Sequence, residues 1–244
     1  MSGRTGRRTA EGAPALRLSS IRMSFPEGLP GRLSLKRPAR EVVLDGIDLE
    51  LGRGCRASLT GPNGSGKTTV LRLAAGLLLP DSGTVKVFDL DPCRRHSAAA
   101  RMLGLSLSGE RSFYWRLSAK ENLEYFGALQ GMPRSRLRTR ISEALAALGL
   151  AEDSSRPVEA LSTGYRQRLA LARAVLHSPG LLLLDEPFRS LDEESVRSFT
   201  GLLDELSRTG TSILVATPSS EEAGSFSDSV FRLGDARPGE GRGI

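Results

Sequence analysis

Hydrophobic positions along this chain follow a period of two in some stretches and a period near 3.6 in others, and the two kinds alternate. Leu16 to Phe25 reads as a short, partly alternating strand ended by Pro26. From Glu27 to Arg40, Gly, Pro, Arg and Leu mix without a period, which predicts a surface loop or hairpin excursion. Val42-Val43-Leu44 and Ile47 to Leu51 are strand material divided by Asp45-Gly46, a turn dipeptide. Ala57 to Thr60 predicts another strand, and Lys67 to Ala75 a helix with Gly76 capping its end. Pro80 to Gly83 is a turn signal leading into an alternating strand, Thr84 to Phe88, and Ala99 to Leu107 is expected to return to the core sheet.

From Ser118 to Leu150 the period becomes helical, with Leu137, Ile141, Leu145 and Leu148 at three- and four-residue steps. Ser118 precedes Glu121 by three residues, a capping-box spacing, and the helical segment ends at Gly149. Leu169 to Leu176 is helical again until Pro179-Gly180, and Leu181 to Leu184 is a short buried-strand run. Val196, Phe199, Leu203 and Leu206 mark an amphipathic helix ending at Gly210, and Ser212 to Thr217 is expected as the final core strand. Strands alternating with helices predict an α/β fold with a mainly parallel sheet.

Composition narrows the class. The 244 residues give room for one large domain or two lobes. No run approaches the roughly 18 apolar residues of a membrane span, since Arg72 and Pro179 break the best candidates. Met1 to Pro14 is Arg- and Gly-rich without a hydrophobic segment, so residues 1–14 are expected as a disordered tail rather than a signal peptide, and 237–244 as a flexible one. Cys55 and Cys93 have neither metal-ligand spacing nor the number for a disulfide framework, which fits a reducing cytoplasm. The net charge of +6 is scattered over the chain and lacks interleaved aromatics. It is expected to be a solvated surface with no nucleic-acid partner, and it is compatible with an anionic inner leaflet.

One stretch organises the rest. Gly61-Pro62-Asn63-Gly64-Ser65-Gly66-Lys67-Thr68 is a complete G-x-x-x-x-G-K-[ST] pattern between a predicted strand and a predicted helix, with Thr69 following. Glycines let successive N–H groups face a polyphosphate, and the helix N-terminus adds its positive dipole end. Lys67 is expected to reach the terminal phosphates and Thr68 to offer its hydroxyl to Mg²⁺, so the chain is expected to bind a nucleoside triphosphate. Asp185-Glu186 ends a predicted parallel strand, where carboxylates point at the same crevice. Asp185 is the expected metal-side carboxylate and Glu186 the expected catalytic base.

Leu161-Ser162-Thr163-Gly164-Tyr165-Arg166-Gln167-Arg168, standing between these two motifs, resembles the signature of ATP-binding cassette (ABC) ATPases. Ser190-Leu191-Asp192 resembles the D-loop of that family, and the likeness runs from about Leu16 to about Leu233. The resemblance implies a P-loop NTPase core with a small antiparallel β subdomain and an inserted helical subdomain. The ATPase domain is expected over 15–236, with a catalytic lobe at about 15–108 and 157–236 and a helical lobe at about 109–156. It also implies a head-to-tail dimer, homo- or heteromeric. ATP would lie between the P-loop of one subunit and Ser162, Thr163, Gly164 and Tyr165 of the other. Phe25 matches the aromatic residue that stacks on adenine, or else is a core Phe ending its strand.

Two positions depart from the family pattern. Ser108 is the nearest residue to the expected Q-loop glutamine and the metal ligand expected there, with Glu110 the nearby carboxylate. Pro218 occupies the place of the switch histidine, and proline has no side-chain donor. Thr217 and Ser219 are its neighbours, and His96 and His177 read as ordinary surface or loop residues. The segment Gly109 to Leu117, holding the only Trp, is either a protein interface or a small local core. With Glu121-Asn122-Leu123 it most resembles ATPases of ABC-2-type exporters. The expectation is therefore a cytoplasmic ATPase, peripheral on the inner membrane face, that drives a separate permease. The alternatives are a degenerate, weakly or non-hydrolysing regulatory half of a heterodimer and a soluble ABC ATPase outside transport.

Overall fold

Unbroken apolar runs and alternating runs separate into different sheets. The computed structural model describes residues 13–26, 39–108, 112–189, 191–219, 223–224 and 226–234. In chain order its first elements are β1 (Leu16–Pro26), β2 (Arg40–Leu51), β3 (Arg56–Thr60), α1 (Lys67–Ala74), β4 (Ser82–Val87), α2 (His96–Met102) and β5 (Leu103–Ser106). There follow α3 (Ala119–Leu129), α4 (Arg134–Ala147), α5 (Thr163–Val175), β6 (Leu181–Asp185), α6 (Glu193–Arg208), β7 (Ser212–Thr217) and β8 (Ser229–Arg232).

The central sheet has the order β5-β6-β7-β3-β8, and every pairing in it is parallel. β6 and β7 are buried along their whole length on both faces, which is why β6 reads as a continuous apolar run. On β6, Leu182 and Leu184 belong to the core beneath α3 to α6, while Leu181 and Leu183 belong to the core shared with α1 and the second sheet. The period of two is thus present but hidden, because both faces are buried. β7 is not the last strand, contrary to the expectation. β8 extends the sheet beyond β3, and its half-exposed Ser-Val-Phe-Arg carries too little apolar pattern to announce an edge strand.

The second sheet is antiparallel, in the order β2-β1-β4. Here the expected turn at Asp45-Gly46 is a bulge within one continuous strand. Ile21 pairs with Ile47 and Met23 with Leu44, so β2 holds one residue more than β1 over the same span. Gly46 absorbs it at φ +63°. Phe88, expected in β4, instead forms with Asp89 a two-residue turn at positive φ. Val87 and Leu90 exchange both backbone hydrogen bonds across it, at 2.9 and 2.8 Å.

α1 ends one residue early, with Ala75 as its cap. The Gly76 and Leu77 N–H groups then return to the Leu73 and Arg72 carbonyls at 3.0 and 2.9 Å, the paired bonds of a Schellman end. The segment Ala99 to Leu107 is half helix, because the run Ala98-Ala99-Ala100 lies in α2 before β5 begins. The capping box at Ser118 is present. α5 starts well before Leu169, because Ser162 caps it. Of the expected N-terminal tail, Ala13 is tied down by Arg53 Nε, which donates to its carbonyl at 2.9 Å. Most of that tail, all of 237–244 and nearly all of the excursion at 27–40 lie outside the described residues. No described helix is long and apolar enough to cross a membrane.

Candidate functional site

The strand order brings the two acidic and phosphate-facing motifs to one sheet edge. The loop Gly61 to Gly66 leaves the end of β3, Asp185 ends β6, and β7 lies between them. In the loop, Gly61, Gly64 and Gly66 all have positive φ. A Cβ at Gly66 would stand 2.7 Å from Leu44 Cδ2, and one at Gly61 would stand 2.6 Å from the Leu233 carbonyl oxygen. Those two glycines are therefore required by space as well as by backbone. Lys67 is buried, and its Nζ donates to the Gly61 and Pro62 carbonyls at 2.7 and 2.9 Å, which folds it back over the loop. Pro62, Asn63 and Gly64 are exposed, Thr69 is half-buried, and the first turn of α1 has no side-chain cap. The Ser65 hydroxyl is buried with no hydrogen-bond partner among the described residues. Orphan donors around a curled backbone at a helix N-terminus are what a polyphosphate requires.

Beside the loop, Thr68 Oγ1 donates to Asp185 Oδ2 at 2.8 Å, and Ser108 Oγ donates to the same oxygen at 3.1 Å. Asp185 is 2 % exposed. Two hydroxyls and a carboxylate are hard oxygen donors, and this set fits Mg²⁺. Ser108, the nearest residue to the Q-loop place, thus stands within the Asp185 cluster, while Glu110 lies outside the described residues.

Glu186 follows at φ +48°, an unusual conformation for a residue with a side chain, and its N–H donates to the Ala216 carbonyl at 2.8 Å. Its Oε2 accepts from Arg189 Nη1 at 3.0 Å. Sequence reasoning missed Arg189, and only its spacing of three from Glu186 could have signalled it. At the end of β7, Thr217 is buried and its Oγ1 accepts from the Ser219 N–H at 3.1 Å, while Pro218 is exposed.

The signature residues stand at the start of α5. Ser162 caps the helix, its Oγ accepting from the Tyr165 N–H at 3.1 Å. Ser162 and Thr163 are exposed and Gly164 half-buried. The Tyr165 ring is turned into the core, with its hydroxyl donating to the Leu150 carbonyl. Burial is the main cause that pushes its phenol up to about 12. Tyr165 therefore offers only backbone at this surface. Asp192 caps α6, its Oδ1 accepting from the Ser195 N–H at 2.7 Å. That bond, with the positive charges of Arg168 and Arg197 nearby, holds its carboxyl below the usual range. Ser190 lies outside the described residues. Phe25 is half-buried near the end of β1, against the core of the antiparallel sheet.

The aromatic segment divides between its two readings. Phe113 is core, whereas Tyr114 and Trp115 are exposed. Two arginines of α5 hold the segment: the Arg166 guanidinium lies 5.2 Å from the Trp115 ring, and that of Arg173 lies 4.9 and 4.7 Å from Phe113 and Phe126. His96 begins α2 and is exposed, while His177 is half-buried with Nε2 3.0 Å from the Leu103 carbonyl.

The family described as ABC transporter matches residues 44–189. The ABC transporter ATP-binding protein NatA of Bacillus subtilis (strain 168) is 35% identical over 202 residues, which are 83% of this chain and 82% of that protein. The cytochrome c biogenesis ATP-binding export protein CcmA of Cupriavidus pinatubonensis is 40% identical over 186 residues, 76% of this chain and 80% of that protein. Import proteins match as well, and some relatives are longer. The chain is 38% identical to the Fe(3+) ions import ATP-binding protein FbpC of Pasteurella multocida over 79% of its own length and 55% of that relative's. Among solved structures, the dimeric post-hydrolysis state of the ATP-binding cassette MJ0796 bound to ADP and Pi superposes with a TM-score of 0.76. It is 25% identical and covers 94% of this chain and all of that one.

Proposed function

Because this chain belongs to the ABC transporter family as an ATP-binding subunit and ATPase, we propose that it is the motor of an exporter, closing around ATP as a dimer to drive a separate membrane permease. The observation that carries this reading is the convergence of the Thr68 and Ser108 hydroxyls on one carboxylate oxygen of Asp185 beside the P-loop. In the proposed site Gly61 to Thr69 wraps the phosphates, and Lys67 exchanges its loop carbonyls for phosphate oxygens. Thr68, Asp185 and Ser108 would hold Mg²⁺, which when bound offsets phosphate charge. Glu186 accepts the proton of the attacking water, and Phe25 stacks on adenine. Ser162 and Thr163, exposed at the α5 N-terminus, and the half-buried Gly164 beside them meet the nucleotide of the partner subunit. Asp192 lines the same junction.

The domain spans 15–236, its helical lobe at 109–156 inserted into the catalytic lobe, and it works from the cytoplasmic side, peripheral to the membrane. Export is supported by the likeness to CcmA and by the aromatic segment before α3, whose exposed Tyr114 and Trp115 suit a permease contact. A second reading is favoured by one observation: Pro218 offers no donor at the end of β7, as in a slow or regulatory half of a heterodimer. Phosphate release from Mg-ATP decides between them, measured at high protein concentration beside Glu186→Gln. Release well above that blank is expected. Release equal to it, with ATP still bound and the permease present, would favour the regulatory half.

A further inference from the structure

Glu186 does not stand alone at its strand end. Arg189 donates to its Oε2, and the Arg189 N–H returns to the Glu186 carbonyl at 3.2 Å, closing a tight turn. The underside of this turn is fixed. Phe188 packs edge-on against Phe199 and Phe226, with ring centroids 5.8 and 6.3 Å apart. Among the described residues the Arg189 guanidinium makes no other hydrogen bond, and Oε1 of Glu186 accepts none. One carboxylate oxygen is therefore held and the other is left for a proton.

On the neighbouring strand, Pro218 has neither an N–H nor a side-chain donor. Asp185 pairs with Ala216, so Glu186 leaves β6 beside the point where Thr217 and Pro218 leave β7. The side chain of Arg189 is 72% exposed, and exposed ion pairs add little to the stability of a fold. A guanidinium on the proposed base, held beside a strand end whose Pro218 offers no donor, has its consequence in turnover instead.

We propose that Arg189 is the positioning residue for Glu186, and that it supplies at this edge the cationic donor that Pro218 cannot. The inference rests on Glu186 as the base. In the reaction the water oxygen bonds to the γ-phosphorus and its proton passes to Glu186 Oε1. The bond from that phosphorus to the bridging oxygen breaks, and ADP leaves with the electron pair. Arg189 acts through Glu186 by holding Oε2, so that Oε1 keeps its aim while the proton moves.

The test uses the full chain, with phosphate release and binding of a fluorescent ATP analogue measured for wild type, E186Q, R189A, R189K, P218H and R189A with P218H. R189A should lower kcat by about tenfold or more while KM and nucleotide binding stay within about twofold. R189K, which keeps one charged donor, should recover most of the loss. The gain from P218H should be several-fold larger in the R189A chain than in wild type, a non-additivity expected if both positions serve one task. Wild-type kcat in R189A would reduce the contact to a surface ion pair and overturn the proposal. A raised kcat would overturn it by showing that Arg189 masks the base, and so would a parallel loss of nucleotide binding. Wild type no faster than E186Q would instead overturn the role of Glu186, and the proposal with it.

Discussion

Gly64 and Gly66 have similar backbone angles, φ +84° and +94°, yet they meet different surroundings. A Cβ at Gly64 would have nothing within 4 Å, whereas one at Gly66 would press on Leu44 and Val43 from the antiparallel sheet. Gly64→Ala should therefore cost only the left-handed backbone penalty, about 1–2 kcal/mol. Gly66→Ala adds overpacking worth roughly 1–3 kcal/mol and shifts the first turn of α1, so it should also lose nucleotide binding. Denaturant unfolding together with binding of a fluorescent ATP analogue separates the two variants. Equal effects would mean that the sheet does not brace the loop. Residue-level chemistry was the most legible part of this sequence, because Lys67, Thr68 and Asp185 belong to patterns whose spacing reflects a local backbone need. Arg189 was not legible, since an arginine three residues after a carboxylate is common and only the turn at Glu186 brings them together.

Among the elements, α3 shows how a local rule can be complete in itself. The Ser118 N–H donates to Glu121 Oε2 at 2.8 Å, and the Ser118 hydroxyl accepts from the Glu121 N–H at 3.2 Å. Ser118→Ala should destabilise by about 1 kcal/mol, read as a shifted denaturation midpoint with unchanged slope. No shift would show that packing under Ala119 and Leu123 already fixes the helix start. Elements defined by such short-range signals were readable: the capping box, the Gly76 end of α1 and the buried leucines of β6. Elements defined by their neighbours were not. Asp45-Gly46 looks like a turn until β1 is laid beside it, and β8 exists as a strand only because β3 offers it an edge.

At the scale of the whole molecule, stability responds to protons through several sites at once. Burial is the main cause that lowers the pKa of His177 from its ordinary 6.5. The unfolded chain then binds more protons, so this contribution is present above about pH 6.5 and is lost as pH falls through the folded value. Hydrogen bonds from Ser24, Ser118 and Ser195 lower the carboxyls of Asp81, Glu121 and Asp192, whose contributions fade further down, as pH falls below about 4. Thermal midpoints should therefore decline in two stages on acidification, and His177→Asn should flatten the first of them. A first stage unchanged in that variant would assign it to another group.

The strand order also has a consequence for how this protein is made. β3, which carries the phosphate loop, finds both of its sheet partners, β7 and β8, near the end of the chain, and the Gly54 N–H waits for a hydroxyl 158 residues away at Ser212. At about 5–20 residues per second, a ribosome needs roughly 10–30 s to bridge that gap. Throughout that interval Ala57 and Leu59 belong to a strand without edges to bond, while the helices of 119–175 can already fold on local contacts. The nucleotide site is the first recognisable motif of the catalytic core to be synthesised and among the last to acquire its shape.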